Sequence, residues 1–356
     1  MAKHLRILII APSLRITGGQ SVQAARLLDE LRKVPGLHVD FQAIDPQLPG
    51  PLAAIQKIKY VRTIVTETAY LLALLSRIWR YDVLHAFSAG YWSFLLAPAP
   101  VILLGKLFGR KTVLNYRNGT LEDHLVKFPR SIRLMSWADR IVPPSAYLVD
   151  VFAKFRLPAS YIFNIIDSAA FPYRERTRPA PRFFHNRGME PLYNIPCTLR
   201  AFAIVQRRYP EASLRLAHDG PLRGELEALV RELGLNNVEF VGFVDQKRMK
   251  ELYGEAEIYL MSPDFDNMPG SILECYACGL PFVSTAAGGV PFIVENGRTG
   301  LLVSVGDYEA MASAALRLLE EPGLARSLAA NGRAECDRYK GPEVAAQWAA
   351  LYRKLS

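Results

Sequence analysis

Short apolar runs alternate with longer amphipathic segments along the whole chain. The first apolar run is Leu5 to Ile10, and a segment with helical periodicity follows it from Ser21 to Arg32. Four apolar residues recur on one predicted face of that helix: Val22, Ala25, Leu28 and Leu31. Because this alternation is typical of parallel βα units, we expect an α/β protein with doubly wound parallel sheets.

Further strand cores follow at similar spacing in both halves of the chain. Those of the front half are Val83-Leu84, Val113-Leu114 and Arg140-Ile141-Val142. Those of the back half are Ser213 to Ala217, Val238 to Phe243, Ile258 to Met261, Pro281 to Ser284 and Leu301 to Val303. A proline-rich stretch at 157–180 separates the two sets and predicts a linker. We therefore predict a first domain at 1–160, a second at 161–340, and a helix at 341–356 that packs back toward the first domain. Ligands of open α/β sheets bind outside the carboxyl ends of the strands, which predicts a cleft shared by the two domains.

The composition fits two globular cores. The chain has 356 residues, of which 50% are hydrophobic and 22% are charged. Its four cysteines are too few and too scattered for a disulfide framework, which indicates a reducing compartment. Cys275 and Cys278 form a C-x-x-C pair, but no second Cys/His pair completes a tetrahedral site. We interpret both as core residues and predict no metal.

No segment has the pattern of a signal peptide or of a membrane span. Leu5 to Ile10 is too short for the apolar region of a signal peptide. Ala69 to Ile78 is interrupted by Arg77 and is shorter than the roughly 20 residues that cross a bilayer. The sequence therefore predicts a cytoplasmic chain, either free or peripheral at the inner face of the membrane.

Basic residues are concentrated in the front half. Residues 1–170 hold 21 Lys and Arg against 11 Asp and Glu, whereas the remainder holds 22 against 23. This favours an anionic partner for the first domain, either a membrane surface or a phosphate-bearing acceptor, with a merely basic surface as the alternative. The region from Lys57 to Arg80 is the candidate membrane contact, although core helices have a similar pattern. No recognisable nucleic-acid module is present, so we predict no nucleic acid partner.

Two glycine-bearing turns are candidate ligand sites. The first strand is followed by Ser13 to Ser21, in which Gly18 and Gly19 open a helix and leave backbone N–H groups available to an anion. An ordinary tight βα turn is the alternative interpretation. A second turn, at Gly288-Gly289, allows close backbone approach to a ligand.

The stretch from Asp264 to Pro281 is the most informative. Pro269 fits a first helical position and Gly279 a helix end, which predicts a short capped helix at 270–278. Its amino terminus suits a phosphate. Glu274 lies about one turn inside, where its carboxylate can accept both hydroxyls of a ribose, and Asp266 can accept sugar hydroxyls from the preceding loop.

Several ordered motifs resemble the donor domain of the retaining family 4 glycosyltransferases, which have the GT-B architecture of two Rossmann-like domains facing a central cleft. The motifs are Leu216 to Leu222, Phe240 to Val244, Leu273 to Pro281, Gly288 to Gly297 and Thr299 to Val303. The resemblance covers essentially the whole back half and, more loosely, the Gly18-Gly19 turn.

The resemblance implies roles for individual residues of the donor site. The acidic pair of the family, two glutamates, falls on Asp266 and Glu274, with the second acid on the ribose and the first on the donor hexose, so Asp266 is a shortened replacement of the same charge. Arg187 matches the arginine that binds the diphosphate. The nucleobase is expected against Gly242, Phe243 and Val244. The remaining donor contacts are expected at Gly18, Gly19, Met268, Pro269, Gly270, Ser271 and Ile272.

The chain departs from the family at two places. The lysine that relatives carry five residues after the arginine is Leu192 here, so Arg200, another cation or the helix at Gly270 must supply that charge. Relatives also carry a histidine followed by glycine after a front-half strand, where this chain has Asn115 to Gly119. We retain Arg117 as a candidate to stabilise the leaving phosphate, and His124 as a candidate contact to donor or acceptor. His85 is a similar candidate, but a lone histidine is more often structural.

The resemblance implies a retaining hexosyltransferase without cofactor or obligatory metal. Its donor is a nucleoside diphosphate sugar, and its acceptor a glycan, a lipid-linked sugar or a small molecule, in polysaccharide or glycolipid biosynthesis. Two alternatives stay open: a sugar-nucleotide epimerase of the same fold, and a catalytically silent binding subunit.

Overall fold

The computed structural model describes residues 4–14, 18–48, 58 and 61–356. The chain forms two compact units: unit 1 is Met1–Ile165 with Gly341–Ser356, and unit 2 is Ile166–Lys340. The crossover at Ile165 falls inside the predicted linker. Within the described part of the chain, every helix is too short or too polar to span a bilayer.

Unit 1 is built on a parallel sheet with the strand order β2-β1-β3-β4-β5. Its strands are β1 (Leu5–Ala11), β2 (Leu37–Ala43), β3 (Val83–Ser88), β4 (Lys111–Tyr116) and β5 (Arg140–Ile141). The apolar pattern predicted four of these and missed β2. That strand lies at the edge of the sheet and mixes apolar residues with His38 and Asp40, so it lacks the continuous apolar run of a central strand.

Helices cover both faces of this sheet. They are α1 (Gly19–Leu31), α2 (Val61–Leu75), α3 (Trp92–Leu96), α4 (Pro98–Leu107), α5 (Leu121–Lys127), α6 (Arg130–Met135) and α7 (Ala146–Lys154). The predicted apolar face of α1 is partly wrong. Leu28 and Leu31 are buried as expected, but Ala24 and Leu27 complete the face, whereas Val22 and Ala25 are only half-buried.

Unit 2 contains a second parallel sheet, with the order β11-β10-β9-β6-β7-β8. Its strands are β6 (Arg182–His185), β7 (Ser213–Ala217), β8 (Val238–Gly242), β9 (Ile258–Met261), β10 (Phe282–Thr285) and β11 (Leu301–Val303). The prediction missed β6, because this central strand has only four residues, one of them arginine and one histidine, directly after the prolines of the linker.

The helices of unit 2 flank its sheet, and the last helix of the chain returns to unit 1. Those of unit 2 are α8 (Ile195–Arg208), α9 (Arg223–Glu232), α10 (Gln246–Glu255), α11 (Gly270–Cys278), α12 (Tyr308–Glu320) and α13 (Pro322–Glu335). The last is α14 (Gly341–Leu355), whose Trp348 and Tyr352 join the core between α1 and the sheet of unit 1.

The predicted helix at 270–278 has the expected bounds, with one difference at its start. Pro269 is the residue before the first turn, with φ −66° and ψ 123°, and not the first helical residue. Gly279 ends the helix in the left-handed region, at φ +65°. A β-carbon at that position would lie 2.4 Å from the ring of Tyr173, so both conformation and space require glycine there.

All four cysteines are buried and reduced. Burial raises the pKa of the Cys275 thiol well above its usual value and that of Cys278 to about 11. Thiols held in this form are poor nucleophiles and poor metal ligands. Among the described residues, no cluster of three His, Cys, Asp or Glu side chains could hold a metal ion.

Candidate functional site

The strand order of unit 2 reverses between β6 and β9, which are neighbours in the sheet. Arg187 follows the carboxyl end of β6, and Asp266 lies in the loop after β9. The Arg187 guanidinium donates from Nη2 to Asp266 Oδ2 at 2.5 Å. A switch point of this kind is where open α/β sheets bind ligands, so two residues selected from the sequence meet at the expected place.

Arg187 is a largely buried cation. Its guanidinium carbon lies 4.4 Å above the centre of the Tyr193 ring, and its Nε is buried with no hydrogen-bond partner among the described residues. Burial opposes the charge, but Asp266 and the nearby tyrosines outweigh it and raise the pKa of Arg187 above its ordinary value. A permanently charged donor with an unused N–H is suited to bind an anionic ligand.

The Asp266 loop is held in place by the Gly288-Gly289 turn. The Gly289 N–H donates to the Asp266 carbonyl oxygen at 2.8 Å. A β-carbon on Gly288 would lie 2.4 Å from that oxygen, and one on Gly289 would lie 1.9 Å from the carbonyl oxygen of Asn267. We expected this turn to let the backbone approach a ligand. The structure shows a different reason for the glycines, because the backbone they approach is that of the Asp266 loop.

The amino terminus of α11 is open. No side chain in the described part of the chain caps it, and a β-carbon on Gly270 would have no neighbour within 4 Å. The next side chains point inward, because Ser271 and Ile272 are buried and the Ser271 hydroxyl lies 3.5 Å from Met261 Sδ. Met268 and Pro269 are also buried. Any ligand here would meet the backbone N–H groups and the positive end of the helix dipole.

Glu274 ends a chain of hydrogen bonds that begins in the core. The Tyr259 hydroxyl donates to Asn186 Oδ1 at 2.7 Å, and Asn186 Nδ2 donates to the Tyr253 hydroxyl at 2.9 Å. Tyr253 then donates to Glu274 Oε2 at 2.7 Å. Both tyrosines are fully buried, so this relay fixes one carboxylate oxygen of Glu274 relative to the segment after β6 that contains Asn186 and Arg187.

A buried arginine ties together the two helices that carry Tyr253 and Glu274. Arg176 donates to backbone carbonyl oxygens of Tyr253 and Ala256 at the end of α10, at 3.0 Å each. It also donates to those of Cys278 and Gly279 at the end of α11, at 2.8 Å each. Arg176 therefore satisfies helix ends that would otherwise be buried without partners.

His218 and Phe243 lie beside each other at the ends of β7 and β8. Their ring centres are 5.7 Å apart, and the His218 N–H donates to the Gly242 carbonyl oxygen at 2.8 Å. Phe243 is 76% exposed, and Val244 beside it is half-buried. Gly242 has φ +77°, and His218, unusually for a non-glycine residue, has φ +79°. An exposed ring on a strained turn fits an aromatic ligand better than a packing role.

Four polar residues of this region were not predicted as site residues from the sequence: His185, Asn186, His218 and Tyr253. Burial, with a smaller effect from Arg187, lowers the pKa of His218. Burial also lowers the pKa of His185 to about 3. Its Nδ1 lies 2.9 Å from the Leu260 carbonyl oxygen, whereas Nε2 is buried and finds no hydrogen-bond partner in the part of the chain that the structure describes. The strained backbone of His218 is visible only in three dimensions, as are the contacts of Asn186 and Tyr253, which lie 67 positions apart.

The position of the missing lysine is occupied by a half-exposed apolar side chain. Leu192 lies in a short 3₁₀ turn, Pro191–Tyr193, and is 40% exposed. Arg200 is exposed on α8, about one turn after Cys197. No described contact ties Arg200 to Arg187 or Asp266, so the structure gives no support to Arg200 as the replacement cation.

Arg117 lies in unit 1, directly after β4. Its guanidinium donates to the amide oxygen of Asn115 at 3.3 Å and to that of Asn164, and it lies 5.1 Å above the centre of the Phe87 ring. Within the described residues no carboxylate lies within ion-pair distance of it, and burial lowers the pKa of Arg117 to about 10. This is a buried cation with neutral partners.

The two candidate histidines of unit 1 have both ring nitrogens within hydrogen-bond distance of other side chains. His124, on α5, is fully buried, with Nδ1 2.8 Å from the Tyr116 hydroxyl and Nε2 3.2 Å from the Ser131 hydroxyl. His85 lies in the middle of β3, not at its end, between the Tyr352 hydroxyl and the Asn115 amide. Since both ring nitrogens of each are occupied, we do not include either histidine in the proposed site.

The Gly18-Gly19 turn is described only in part, because residues 15–17 lie outside the described residues. Gly18 precedes the first turn of α1 without a capping side chain from the described residues. A β-carbon on Gly19 would have no neighbour within 4 Å.

Part of the chain is similar in sequence to known glycosyltransferases. Residues 183–321 match the family model described as "Glycosyl transferases group 1". The chain is 25% identical over 202 residues to N-acetyl-alpha-D-glucosaminyl L-malate synthase of Bacillus anthracis, covering 54% of this chain and 52% of that protein. It thus spans about half the length of this curated relative.

Two solved structures share the fold over almost the whole chain. Sucrose-phosphate synthase from Thermosynechococcus elongatus is 21% identical, with a TM-score of 0.81 and 99% of both chains covered. Anabaena Alr3699/HepE in complex with UDP-glucose is 17% identical, with a TM-score of 0.76, covering 98% or more of each chain. Both are GT-B proteins. The family match lies within unit 2, and the two solved structures share the fold of both parallel-sheet units, so the chain is similar in sequence to the group 1 glycosyltransferases over residues 183–321 and has the GT-B fold.

Proposed function

We propose that the chain is a retaining hexosyltransferase that takes its sugar from a nucleoside diphosphate donor bound in unit 2. The observation that carries this proposal is the meeting of Arg187 and Asp266 at the switch point of the sheet, 2.5 Å apart. The open amino terminus of α11 supports it, as does the relay that fixes Glu274. The resemblance to family 4 supplies the retaining outcome.

Each part of the donor has a matching group in unit 2. The Arg187 guanidinium and the N–H groups at the start of α11 bind the diphosphate. Glu274 accepts hydrogen bonds from the ribose hydroxyls, with its orientation set by Tyr253. The exposed Phe243 and the backbone at Gly242 hold the base. HepE, a protein of the same fold, was crystallised with UDP and with UDP-glucose, so a uridine nucleotide is the first donor to test.

In the reaction, the bond between the anomeric carbon and the diphosphate oxygen breaks, and the acceptor hydroxyl attacks from the same face. The acceptor proton passes to the leaving phosphate oxygen. Arg187 and the α11 dipole stabilise the charge that develops on the diphosphate, without a metal ion. Asp266 has two tasks, because it accepts hexose hydroxyls and holds Arg187 in position. The role of Arg117 toward the leaving phosphate, the cytoplasmic location and the glycan or lipid-linked acceptor stay predictions.

One observation favours a second candidate, a binding subunit without transferase activity. Leu192 occupies the position of the family's second phosphate-binding cation, which removes a charge that relatives use in catalysis. In this alternative the fold binds the nucleotide but does not transfer the sugar.

The two candidates are separated by nucleotide binding followed by product analysis. We expect UDP, GDP or ADP, or one of their sugar conjugates, to raise the melting temperature by several degrees, since ligand at about 100 times its Kd adds roughly 2.7 kcal/mol. Glu274→Ala should abolish the shift. Glu295→Ala, which removes an exposed acid paired with Arg298, should preserve it.

Proton NMR of the anomeric signal then tests the reaction. A released or transferred hexose that keeps the donor configuration supports the retaining transferase. Nucleotide binding without turnover supports the binding subunit, whereas an inverted product contradicts the proposed mechanism. The absence of a thermal shift with every nucleotide would contradict the donor site itself.

A further inference from the structure

Unit 1 exposes apolar side chains along the outer face of α2 and the turn that follows it. Ile64 is 70% exposed, Leu72 is 63% exposed, and Trp79 in the 3₁₀ turn Ile78–Arg80 is 53% exposed. Ile64 and Leu72 are eight residues apart, which places them on the same side of the helix. The opposite side of α2 contributes Tyr70 and Leu74 to the core.

Helix α4 continues this apolar surface. Its inner residue Val101 packs in the same core cluster as Tyr70 and Leu74 of α2. Both helices therefore lie on one face of the sheet with their outer sides toward solvent. On α4 those outer sides carry Leu103 and Leu107, of which Leu107 is 76% exposed. We call α2, the Ile78–Arg80 turn and residues 98–110 the apolar-basic surface.

Charges at this surface are almost all positive. The residues of this surface, 61–75, 78–80 and 98–110, contain four basic residues and one acidic residue, Glu67. The basic residues are Arg62, Arg80, Lys106 and Arg110. In the described part of the chain, no carboxylate lies within 4 Å of a basic group of Arg62, Arg80 or Lys106. Burial raises the pKa of Glu67 above its ordinary value.

Two of the cations lie against indole rings. The Arg80 guanidinium carbon is 4.9 Å from the centre of the Trp79 ring, and Lys106 Nζ is 4.8 Å from that of Trp137. Amphipathic side chains that combine an apolar stem or ring with a charge are favoured where hydrocarbon meets lipid headgroups. A protein partner would instead be expected to contact a surface core depleted of charged residues.

We propose that the apolar-basic surface binds an anionic lipid bilayer, with the leucine, isoleucine and tryptophan side chains at the headgroup boundary and the cations on lipid phosphates. Charge complementarity favours an anionic lipid, because exposed apolar side chains occur beside cations that have no carboxylate partner among the described residues. The proposal does not depend on the donor site, which lies in unit 2. Lys57 and Lys59, which belong to the membrane contact predicted from the sequence, lie outside the described residues.

Co-sedimentation of the purified full chain with vesicles tests this surface. We expect binding to phosphatidylcholine vesicles that contain phosphatidylglycerol, little binding to phosphatidylcholine alone, and loss of binding as salt is raised. The double variant Arg80→Gln/Lys106→Gln should bind about 30-fold more weakly at low salt, since each cation near a charged bilayer contributes about fivefold. The double variant Ile64→Gln/Leu72→Gln should bind at least about tenfold more weakly.

Matched controls come from unit 2. Val305→Gln removes an apolar side chain that is 47% exposed, and Arg231→Gln removes an exposed cation from α9. Both should bind vesicles like the wild type. Nucleotide-induced thermal shifts should be unchanged in every variant, which separates this proposal from that of the donor site.

Three outcomes would overturn the proposal. The first is equal binding to neutral and anionic vesicles, and the second is no binding to anionic vesicles at low salt. The third is a wild-type dimer that Ile64→Gln/Leu72→Gln converts to a monomer, which would assign the surface to a second copy of the chain.

Discussion

Each unit buries an arginine near the carboxyl end of a strand, but the two arginines have opposite surroundings. In unit 2, Arg187 faces the Asp266 carboxylate, and its pKa is raised. In unit 1, Arg117 faces the amide oxygens of Asn115 and Asn164, and burial lowers its pKa to about 10. The first cation is compensated inside the protein, whereas the second keeps an uncompensated charge. Sequence motifs alone give both residues the same description, a cation after a strand.

Replacing each arginine with methionine gives the largest expected difference between the units. Arg187→Met leaves the partly buried Asp266 carboxylate without its cation, so we expect a loss of about 3 kcal/mol of stability. We also expect roughly 100-fold weaker nucleoside diphosphate binding, since two or so charged hydrogen bonds are lost. Arg117→Met removes an uncompensated cation and should leave stability within about 1 kcal/mol of the wild type. Thermal unfolding and nucleotide titration measure both.

This pair of variants also tests the role suggested for Arg117. If Arg117 stabilises the leaving phosphate, Arg117→Met should lower the transfer rate while the affinity for the free nucleotide is retained. Similar losses of stability and nucleotide affinity in the two variants would contradict the proposed difference between Arg187 and Arg117.

A tyrosine from each unit gives the next comparison. Tyr253→Phe removes the hydrogen bond to Glu274, so we expect about tenfold weaker binding of the nucleoside diphosphate, the effect of one hydrogen bond to a charged group. Binding of pyrophosphate, which has no ribose, should not change. Tyr352→Phe removes an equally buried hydroxyl that contacts His85 in unit 1 and should leave both ligands unaffected. Isothermal titration distinguishes a ribose effect from a general one, because a merely loosened fold would weaken both ligands.

The last expected effect is a pH dependence of stability, and it concerns His124, a buried histidine of unit 1. Burial lowers the pKa of His124 to about 4, below the value near 6.5 expected in the unfolded chain. The unfolded state therefore binds more protons in that interval, so the stability contributed by neutral His124 is present above about pH 6.5 and lost as the pH falls toward 4. The slope is at most about 1.4 kcal/mol per pH unit for this residue.

His124→Gln tests this contribution, because glutamine keeps a hydrogen-bond donor and an acceptor. We expect the melting temperature of the variant to fall less steeply than that of the wild type between pH 7 and pH 5. Activity at pH 7 should be retained, since the histidine is structural. An unchanged slope together with lost transferase activity would instead place His124 in the site.

The alternation of apolar runs was sufficient to predict two parallel α/β units and most of their strands. It failed for β2 and β6, whose residues include charged or polar side chains that are tolerated at a sheet edge or a strand end. The α11 segment was predictable to the residue because Pro269 and Gly279 restrict the backbone locally. The surroundings of the individual side chains depend on tertiary packing, which the sequence does not show. His124 and Arg117 lie seven residues apart in sequence, yet only the tertiary structure shows that one is enclosed by rings and the other lacks a counter-charge.

The residues that orient Glu274 could not be found from the sequence. Tyr253 and Asn186 have no local signal, because their partners are far away along the chain and each could equally be an exposed polar residue. The sequence predicted that the Gly288-Gly289 turn is closely approached, but not which group approaches it. A glycine motif shows that something approaches closely, and only coordinates identify what approaches.

Helix α14 has a consequence for the order in which the protein is made. Its Trp348 and Tyr352 complete the core of unit 1 against His85 and the sheet, whereas all of unit 2 is encoded between β5 and this helix. During synthesis unit 2 is therefore complete before unit 1 can close. Until α14 leaves the ribosome, the first half of the nascent chain exposes part of its core. We therefore expect chaperones to bind it during this interval.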